Sequence, residues 1–194
     1  MSQPSHSSHS SVSILFVCTA NRVRSPYAEA VARRLIVELG LPVQVGSAGF
    51  LAPDHPADRD MAQVARRRGV DLATHRSRQV DQGLLDRSDL IVAMTGQHVI
   101  DLVGLAPDAA RRMLTLRELA AAVGTAPLDD WAPDAVRRWA DAPTRRPIQQ
   151  LLDGRHDIAD PIGRSMRHYR AAADEIESLV AVLFAPRSTR GLGA

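Results

Sequence analysis

The sequence predicts an α/β fold in which a parallel sheet is covered by helices on both faces. Short apolar, β-branched runs alternate along the chain with longer stretches whose apolar residues recur at helical spacing. Hydrophobic residues make up 45% of the composition but aromatic residues only 4%, so the core must be built from aliphatic side chains packed on buried strands. A length of 194 residues suits one compact domain with appendages, which we place at residues 12–186.

The first elements form a βαβ unit. The run Val12 to Val17 predicts a buried strand that ends at Cys18. A helix follows from Pro26, a residue suited to the first helical position, and it ends before Gly40. A second short strand is expected near Val43 to Gly46.

Further helices and strands continue the alternation. We expect a helix over residues 57–68, a third strand over 89–94 and a helix near 97–105. A shorter fourth strand is predicted within 111–116, and a long amphipathic helix from Tyr169 to Leu183 closes the domain.

Three segments lie outside this regular pattern. Residues 1–11 are polar and Ser-rich, and residues 187–194 follow the closing helix, so both are predicted to be disordered tails. The segment near 118–150 contains alanines, several prolines and both tryptophans, and it predicts an insertion with helical pieces.

Composition excludes several functional classes. All 24 basic residues are arginines and give a pI near 9.3, but 22 acidic residues accompany them, which argues against a nucleic-acid-binding surface. No apolar run reaches the roughly 18 residues of a membrane span, and the N-terminus lacks signal-peptide features. The single cysteine excludes an internal disulfide and any cysteine-based metal cluster. These features predict a cytoplasmic protein that binds neither membrane nor nucleic acid.

The stretch CTANRVRSP, which begins at Cys18, is the best candidate for a functional site. It connects the carboxyl end of the first strand to the first helix. Ligands of open α/β sheets bind at the edge where the strands have their carboxyl ends. Asn21 can adopt a left-handed conformation that turns successive N–H groups inward as a cup for a phosphate.

Cys18, Arg24 and Ser25 together suggest a nucleophilic site. A helix N-terminus, converging N–H groups and a neighbouring guanidinium all favour the thiolate, which is the reactive form of cysteine. Arg24 has a planar fork that matches two phosphate oxygens, and Ser25 can donate a hydrogen bond to sulfur. The alternative interpretation is a small buried cysteine at a strand end with an unrelated surface arginine.

The same residues resemble a known family. CTANRVRSP resembles the phosphate loop of the low-molecular-weight protein tyrosine phosphatases, which runs Cys, five residues, Arg, Ser, Pro. Further segments resemble other family motifs in the same order: VGSAGF, PDHPADRDM, RRGVDLATHRSRQV, SDLIVAM and the Asp-Pro stretch ADPIG. The resemblance implies a three-layer fold with a four-stranded parallel sheet, no metal, no cofactor and hydrolysis of phosphomonoesters.

The resemblance also assigns roles to individual residues. It makes the Cys18 thiolate the nucleophile, Arg24 the group that holds the phosphate oxygens, and Asp160 the general acid and later base. Ser47 and His75, with Asn21, take the positions that support the loop from behind. The remaining loop residues surround the phosphate: Thr19, Ala20, Asn21, Arg22, Val23 and Ser25.

The sequence departs from the family pattern at several positions. Val23 stands where many relatives have a second cysteine, which predicts irreversible oxidation of Cys18 by peroxide. Ile162 and Gly163 replace the tyrosines that often follow Asp-Pro. We expect the missing ring wall to be supplied by one of three apolar residues: Phe50, Leu51 or Trp131.

The predicted substrate is a phosphotyrosine protein or another aryl phosphate, with inorganic phosphate and similar oxyanions as inhibitors. The charge of Arg22 at the rim is expected to repel the guanidinium of a phosphoarginine. Two alternatives stay open: a small-thiol-dependent arsenate reductase and a non-catalytic phosphate-binding scaffold. Should Asp160 prove dispensable, the general acid would be sought at Asp129 or Asp130.

Overall fold

The structure is a computed structural model, and it describes residues 11–126, 128, 131–141 and 148–185. The two predicted tails therefore lie outside the described residues, apart from Ser11. The same holds for Asp129 and Asp130.

A four-stranded sheet in the order β2-β1-β3-β4 forms the centre of the fold, and all its strand pairs are parallel. The strands are β1 (Val12–Cys18), β2 (Val43–Gly49), β3 (Leu90–Ala93) and β4 (Met113–Thr115). Because the strands are parallel, their carboxyl ends meet at one edge, and Cys18 pairs there with Gly49. The predicted α/β architecture with a parallel sheet is confirmed.

The described residues form eight α-helices and one 3₁₀ helix. They are α1 (Arg24–Leu39), α2 (Arg59–Arg67), α3 (Gln82–Asp86), α4 (Gly96–Leu105), the 3₁₀ helix (Pro107–Arg112), α5 (Leu116–Thr125), α6 (Pro133–Asp141), α7 (Ile148–Leu152) and α8 (Met166–Phe184).

Side chains of β1 alternate between two hydrophobic clusters. Ile14 and Phe16 belong to the cluster that includes residues of α1, α2, α5 and α8, whereas Leu15 and Val17 pack with α3, α4 and α7. This alternation is the period-two pattern of a buried strand. The sheet is thus the middle layer of three.

Helix α1 begins two residues earlier than the sequence predicted. Its first residue is Arg24, and Pro26 lies within the first turn, where the missing N–H removes no helical hydrogen bond. The helix ends at Leu39, and the next residue, Gly40, adopts a left-handed conformation with φ of 63° and donates its N–H to the carbonyl oxygens of Ile36 and Val37. The early start places Arg24 and Ser25 on the helix itself.

Two of the remaining elements were not predicted from the sequence. These are α3 and the 3₁₀ helix, both of which are too short for a helical repeat of apolar residues to be recognised. The helix expected over 57–68 is α2, which is shortened at its start because Asp58 caps it by accepting from the N–H groups of Asp60 and Met61.

The segment after β4 turns away from the strand ends that carry Cys18. Arg137 of α6 forms an ion pair with Asp89, whose second oxygen accepts from the backbone N–H of Ser13. Asp89 and Ser13 lie at the amino ends of β3 and β1. Helix α6 therefore packs at the edge of the sheet opposite Cys18.

Within the described parts of the chain, no helix is both long and apolar enough to cross a bilayer.

Candidate active site

The loop between β1 and α1 is built around Asn21. This residue is fully buried and has a φ of 51°, the left-handed conformation expected from the sequence. Val23, which precedes α1, provides no side-chain cap, so the first N–H groups of the helix are not satisfied in that way. The loop and the helix N-terminus together form an anion-binding geometry.

Hydrogen bonds from three directions hold Asn21 in place. Its Nδ2 donates to Ser25 Oγ at 2.9 Å and to Ser47 Oγ at 2.8 Å. Its Oδ1 accepts from the backbone N–H of Arg78 at 2.8 Å, and its carbonyl oxygen lies 2.7 Å from His75 Nε2. The residues predicted to support the loop are thus brought together behind it.

Cys18 lies at the base of this loop and is only 2% exposed. Its Sγ is 3.0 Å from Ser25 Oγ. Ser25 Oγ accepts a hydrogen bond from Asn21, and its own hydrogen has two acceptors within reach: the carbonyl oxygen of Ala48 at 3.3 Å and, at the shorter distance of 3.0 Å, the sulfur of a Cys18 thiolate. Sequence reasoning predicted this pairing of Cys18 with Ser25.

Arg24 extends across the mouth of the loop, although it is only 3% exposed. Nη1 donates to the carbonyl oxygen of Ile158 at 3.0 Å. Nη2 lies 2.5 Å from Asp160 Oδ2 and 3.3 Å from Thr19 Oγ1. Arg24 therefore connects Asp160 to the loop that begins at Cys18, although Asp160 follows Cys18 by more than 140 positions in the sequence.

The segment before Asp160 is attached to the end of β3. The N–H of Ile158 donates to the carbonyl oxygen of Met94 at 2.9 Å. Asp157 Oδ1 accepts from the N–H of Gly96, the first residue of α4, at 2.8 Å. A side chain at Gly96 would not fit, because its Cβ would lie 1.8 Å from the carbonyl oxygen of Leu151.

His98 is a site residue that sequence reasoning missed. Its Nε2 lies 3.0 Å from Thr19 Oγ1, and its ring stacks on Phe50 with centroids 5.6 Å apart. Burial lowers the pKa of His98 to about 4, and the positive charge of Arg24 acts in the same direction. The available signal was its position four residues after SDLIVAM, hence at the same strand edge as Cys18.

Thr95 is the N-cap of α4. Its side chain accepts from the backbone N–H of His98 at 3.2 Å. The cap fixes the first turn of α4 and therefore the position of the His98 ring.

The candidates for the ring wall behave differently from one another. Trp131 stacks on Phe184 at the end of α8, with ring centroids 5.1 Å apart, so its proposed role as a ring wall is wrong. Leu51 is 54% exposed, and its N–H donates to the carbonyl oxygen of Thr19 in the loop. Ile162 is 49% exposed, and its N–H donates to Asp160 Oδ1. Phe50 is partly buried, stacks on His98 and donates its N–H to the carbonyl oxygen of Thr19, so the apolar surface beside the loop combines this aromatic residue with two exposed aliphatic ones.

Arg22 lies at the rim of the loop. Its Nε donates to the carbonyl oxygen of Pro56 at 3.2 Å. Among the residues that the structure describes, no carboxylate forms an ion pair with Arg22. Its charge is therefore available to a substrate.

In the described ranges, no cluster of three or more His, Cys, Asp or Glu side chains is arranged to hold a metal ion.

Comparison with known proteins identifies the family to which this site belongs. The sequence model for the low molecular weight phosphotyrosine protein phosphatases matches residues 13–134, which is more than half of the chain. The chain belongs to this family. The phosphatase accordingly has the fold and the hydrolytic activity that the family resemblance implied, and the arsenate reductase and scaffold alternatives are not favoured.

Relatives of the phosphatase differ in the substrate that their names specify. The chain is 34% identical over 169 residues to the protein-arginine-phosphatase of Geobacillus stearothermophilus. This alignment covers 86% of the chain and 90% of the relative. The chain is 38% identical over 97 residues to the low molecular weight protein-tyrosine-phosphatase Etp of Escherichia coli K12, covering 50% of this chain and 63% of the relative.

Solved structures show the same fold. The low molecular weight protein tyrosine phosphatase from T. tengcongensis superimposes with a TM-score of 0.69 at 28% identity, covering 89% of this chain and 97% of that one.

Proposed function

We propose that the phosphatase hydrolyses phosphotyrosine in proteins through a phosphocysteine intermediate on Cys18. One observation carries this proposal: the sulfur, the guanidinium of Arg24 and the carboxylate of Asp160 converge on the same loop. Cleavage of a phosphomonoester requires a nucleophile, a hydrogen-bond donor to the phosphoryl oxygens and a group that transfers a proton. Cys18, Arg24 and Asp160 can supply these in that order.

The first chemical step transfers the phosphoryl group. The Cys18 thiolate attacks phosphorus in line, an S–P bond forms, and the bond from phosphorus to the tyrosyl oxygen breaks. Asp160 donates its proton to the leaving oxygen, while Arg24 and the loop N–H groups hold the phosphoryl oxygens.

The second step releases phosphate. Asp160, now ionised, removes a proton from water as the water attacks the phosphocysteine. The S–P bond breaks, and the thiolate is stabilised by a hydrogen bond from Ser25, 3.0 Å away. Inorganic phosphate, the product, binds the same loop and is expected to inhibit. The proposed compartment is the cytoplasm, because a thiolate nucleophile is preserved under reducing conditions.

Phosphoarginine is the second candidate substrate, since the relative aligned over 90% of its length is a protein-arginine-phosphatase. Two features favour phosphotyrosine. The unpaired charge of Arg22 opposes a second guanidinium at the mouth, and the exposed Leu51 and Ile162 suit an aromatic ring better than a cation.

The intermediate is tested by rapid acid quench of the enzyme during turnover, followed by mass spectrometry. We expect a phosphoryl group on the peptide that contains Cys18. The Cys18→Ser variant should lose turnover and still bind inorganic phosphate. A wild-type enzyme that binds phosphate but never turns over would contradict the proposal.

The substrate is tested with matched peptides that differ only in carrying phosphotyrosine or phosphoarginine. We expect a higher kcat/KM for phosphotyrosine, and a smaller difference in Arg22→Gln, which keeps a polar side chain but removes the charge. Arg76→Gln is the matched control, since Arg76 is exposed and its guanidinium donates to the carbonyl oxygen of His75. A higher kcat/KM of the wild type for the phosphoarginine peptide would contradict the proposal and make phosphoarginine the substrate.

A further inference from the structure

A contact between His98 and Thr19 has consequences for the phosphate loop. Thr19 is an exposed residue of the loop, and its Oγ1 has two nitrogen neighbours, His98 Nε2 at 3.0 Å and Arg24 Nη2 at 3.3 Å. Arg24 is always a donor, so Thr19 Oγ1 accepts from it. The direction of the second hydrogen bond depends on which ring nitrogen of His98 carries the proton.

The buried side of the His98 ring decides between the two tautomers. His98 is 7% exposed, and its Nδ1 is buried without a hydrogen-bond partner. A proton on Nδ1 would therefore be a buried donor with no acceptor, which is rare and costly in folded proteins. A proton on Nε2 leaves only a lone pair on Nδ1 unsatisfied and gives Thr19 Oγ1 a second donor.

We infer that His98 is a positioning residue whose Nε2–H turns the Thr19 hydroxyl into a hydrogen-bond donor for the phosphoryl oxygens. With both lone pairs of Oγ1 engaged by His98 and Arg24, the hydroxyl hydrogen is directed away from them. Thr19 is exposed and adjacent to Cys18, so a phosphate held in the loop is the acceptor that this hydrogen would meet. The loop thus gains a side-chain donor in addition to its backbone N–H groups.

Two further features keep His98 in this role. The Thr95 cap fixes the first turn of α4 and the stack on Phe50 fixes the ring, so the hydrogen bond to Thr19 is made by a side chain held from both sides. The lowered pKa of His98 supports the same assignment, because a neutral ring is required for a choice of tautomer.

The inference rests on the proposed function in that it assigns a donor to the same phosphate site. It is therefore tested first by a measurement that needs no turnover. Nitrogen-15 NMR of the wild-type protein distinguishes the two neutral tautomers of a histidine ring. We expect the Nε2–H form for His98 at neutral pH, and an Nδ1–H form would overturn the inference.

The second test measures the affinity for inorganic phosphate by calorimetry. Thr19→Val keeps the shape of the side chain and removes the hydroxyl, and His98→Leu removes the donor to it. Each is expected to weaken phosphate binding by about tenfold or more, the range for a hydrogen bond to a charged group. Thr19→Ser should bind more tightly than Thr19→Val, and His98→Gln, whose amide can reach Oγ1, more tightly than His98→Leu.

The double variant tests whether the two residues act as one unit. If His98 acts through Thr19, Thr19→Val combined with His98→Leu should bind phosphate no more weakly than the weaker single variant. Full additivity, or phosphate binding by Thr19→Val equal to that of the wild type, would overturn the inference. Binding that follows these expectations in an enzyme without turnover would refute only the proposed hydrolysis.

Discussion

Asp160 Oδ2 lies 2.5 Å from Arg24 Nη2, so the carboxylate assigned to proton transfer occupies one arm of the guanidinium assigned to phosphate. The two roles are coupled through this contact. A phosphate dianion that enters the loop competes with Asp160 for Arg24, and removal of the carboxylate charge should make the loop a better anion site.

Asp160→Asn is expected to separate binding from catalysis. Affinity for inorganic phosphate should rise, because the carboxylate that repels the anion and competes for Arg24 is replaced by a neutral amide. The kcat/KM for phenyl phosphate should fall roughly 10²-fold or more, the contribution of a general acid. The loss should be smaller for p-nitrophenyl phosphate, since p-nitrophenolate leaves without a proton. Equal losses on both esters would show that the acid is another group.

The first βαβ unit illustrates what the sequence could predict. Cys18, Arg24 and Ser25 are close along the chain, so a strand, a short loop and a helix suffice to bring them together. The anion geometry of the loop follows from local chemistry, because Asn21 is among the few residues that adopt a left-handed backbone at low cost.

Contacts between distant segments could not be derived in the same way. Asp160 became a candidate only through the family resemblance, because nothing local distinguishes it from an aspartate in a turn. His98 and Asp157 have no motif and reach the site through the parallel strand edge and the start of α4. Trp131 was misplaced because the path of its segment depends on packing against α8.

The close contact at Gly96 predicts that alanine has opposite effects on stability at the two glycines of α4. Gly96→Ala should destabilise the protein by about 2 kcal/mol or more, because a Cβ there overlaps the carbonyl oxygen of Leu151. Gly104→Ala, in the same helix with no atom within 4 Å of its Cβ, should stabilise it by roughly 0.5–1 kcal/mol. Urea unfolding measures both, and similar effects of the two substitutions would contradict the packing of α7 on α4.

The lowered pKa of His98 predicts acid sensitivity. An unfolded histidine binds a proton near pH 6.5, whereas folded His98 does so only near pH 4, so the unfolded state holds more protons between these values. Stability from this residue is complete above about pH 6.5 and falls by about 1 kcal/mol per pH unit as the pH drops towards 4.

The measurement is urea unfolding of the wild type and His98→Gln from pH 7 to pH 4.5. The free energy of unfolding should fall less steeply in the variant. Asp101, Asp157, Asp160 and Arg24 are the charged groups that act on His98, and all four are present in both proteins, so the difference between the two curves reports on the histidine. Parallel curves would show that His98 is not a buried neutral ring.

The absence of a second cysteine predicts the outcome of oxidation. Cys18 is the only cysteine of the chain, and Val23 occupies the position where a resolving thiol would otherwise stand. Prolonged peroxide should carry Cys18 beyond sulfenic acid to products that thiols cannot reduce. Activity after dithiothreitol treatment, with mass spectrometry of the Cys18 peptide, measures this. Full recovery of activity after peroxide treatment without a small thiol would contradict the prediction. The control is a brief peroxide treatment in the presence of glutathione, which protects the sulfur.

The ion pair between Arg137 and Asp89 ties helix α6 to the pole of the sheet at the amino ends of β1 and β3, away from the nucleophile. Cys18 lies at the carboxyl end of β1, so a phosphoprotein that reaches it approaches from the opposite end of the sheet. That pole is consequently the place for a tether: a fusion partner, a dye or a solid support joined there leaves the approach of large substrates open.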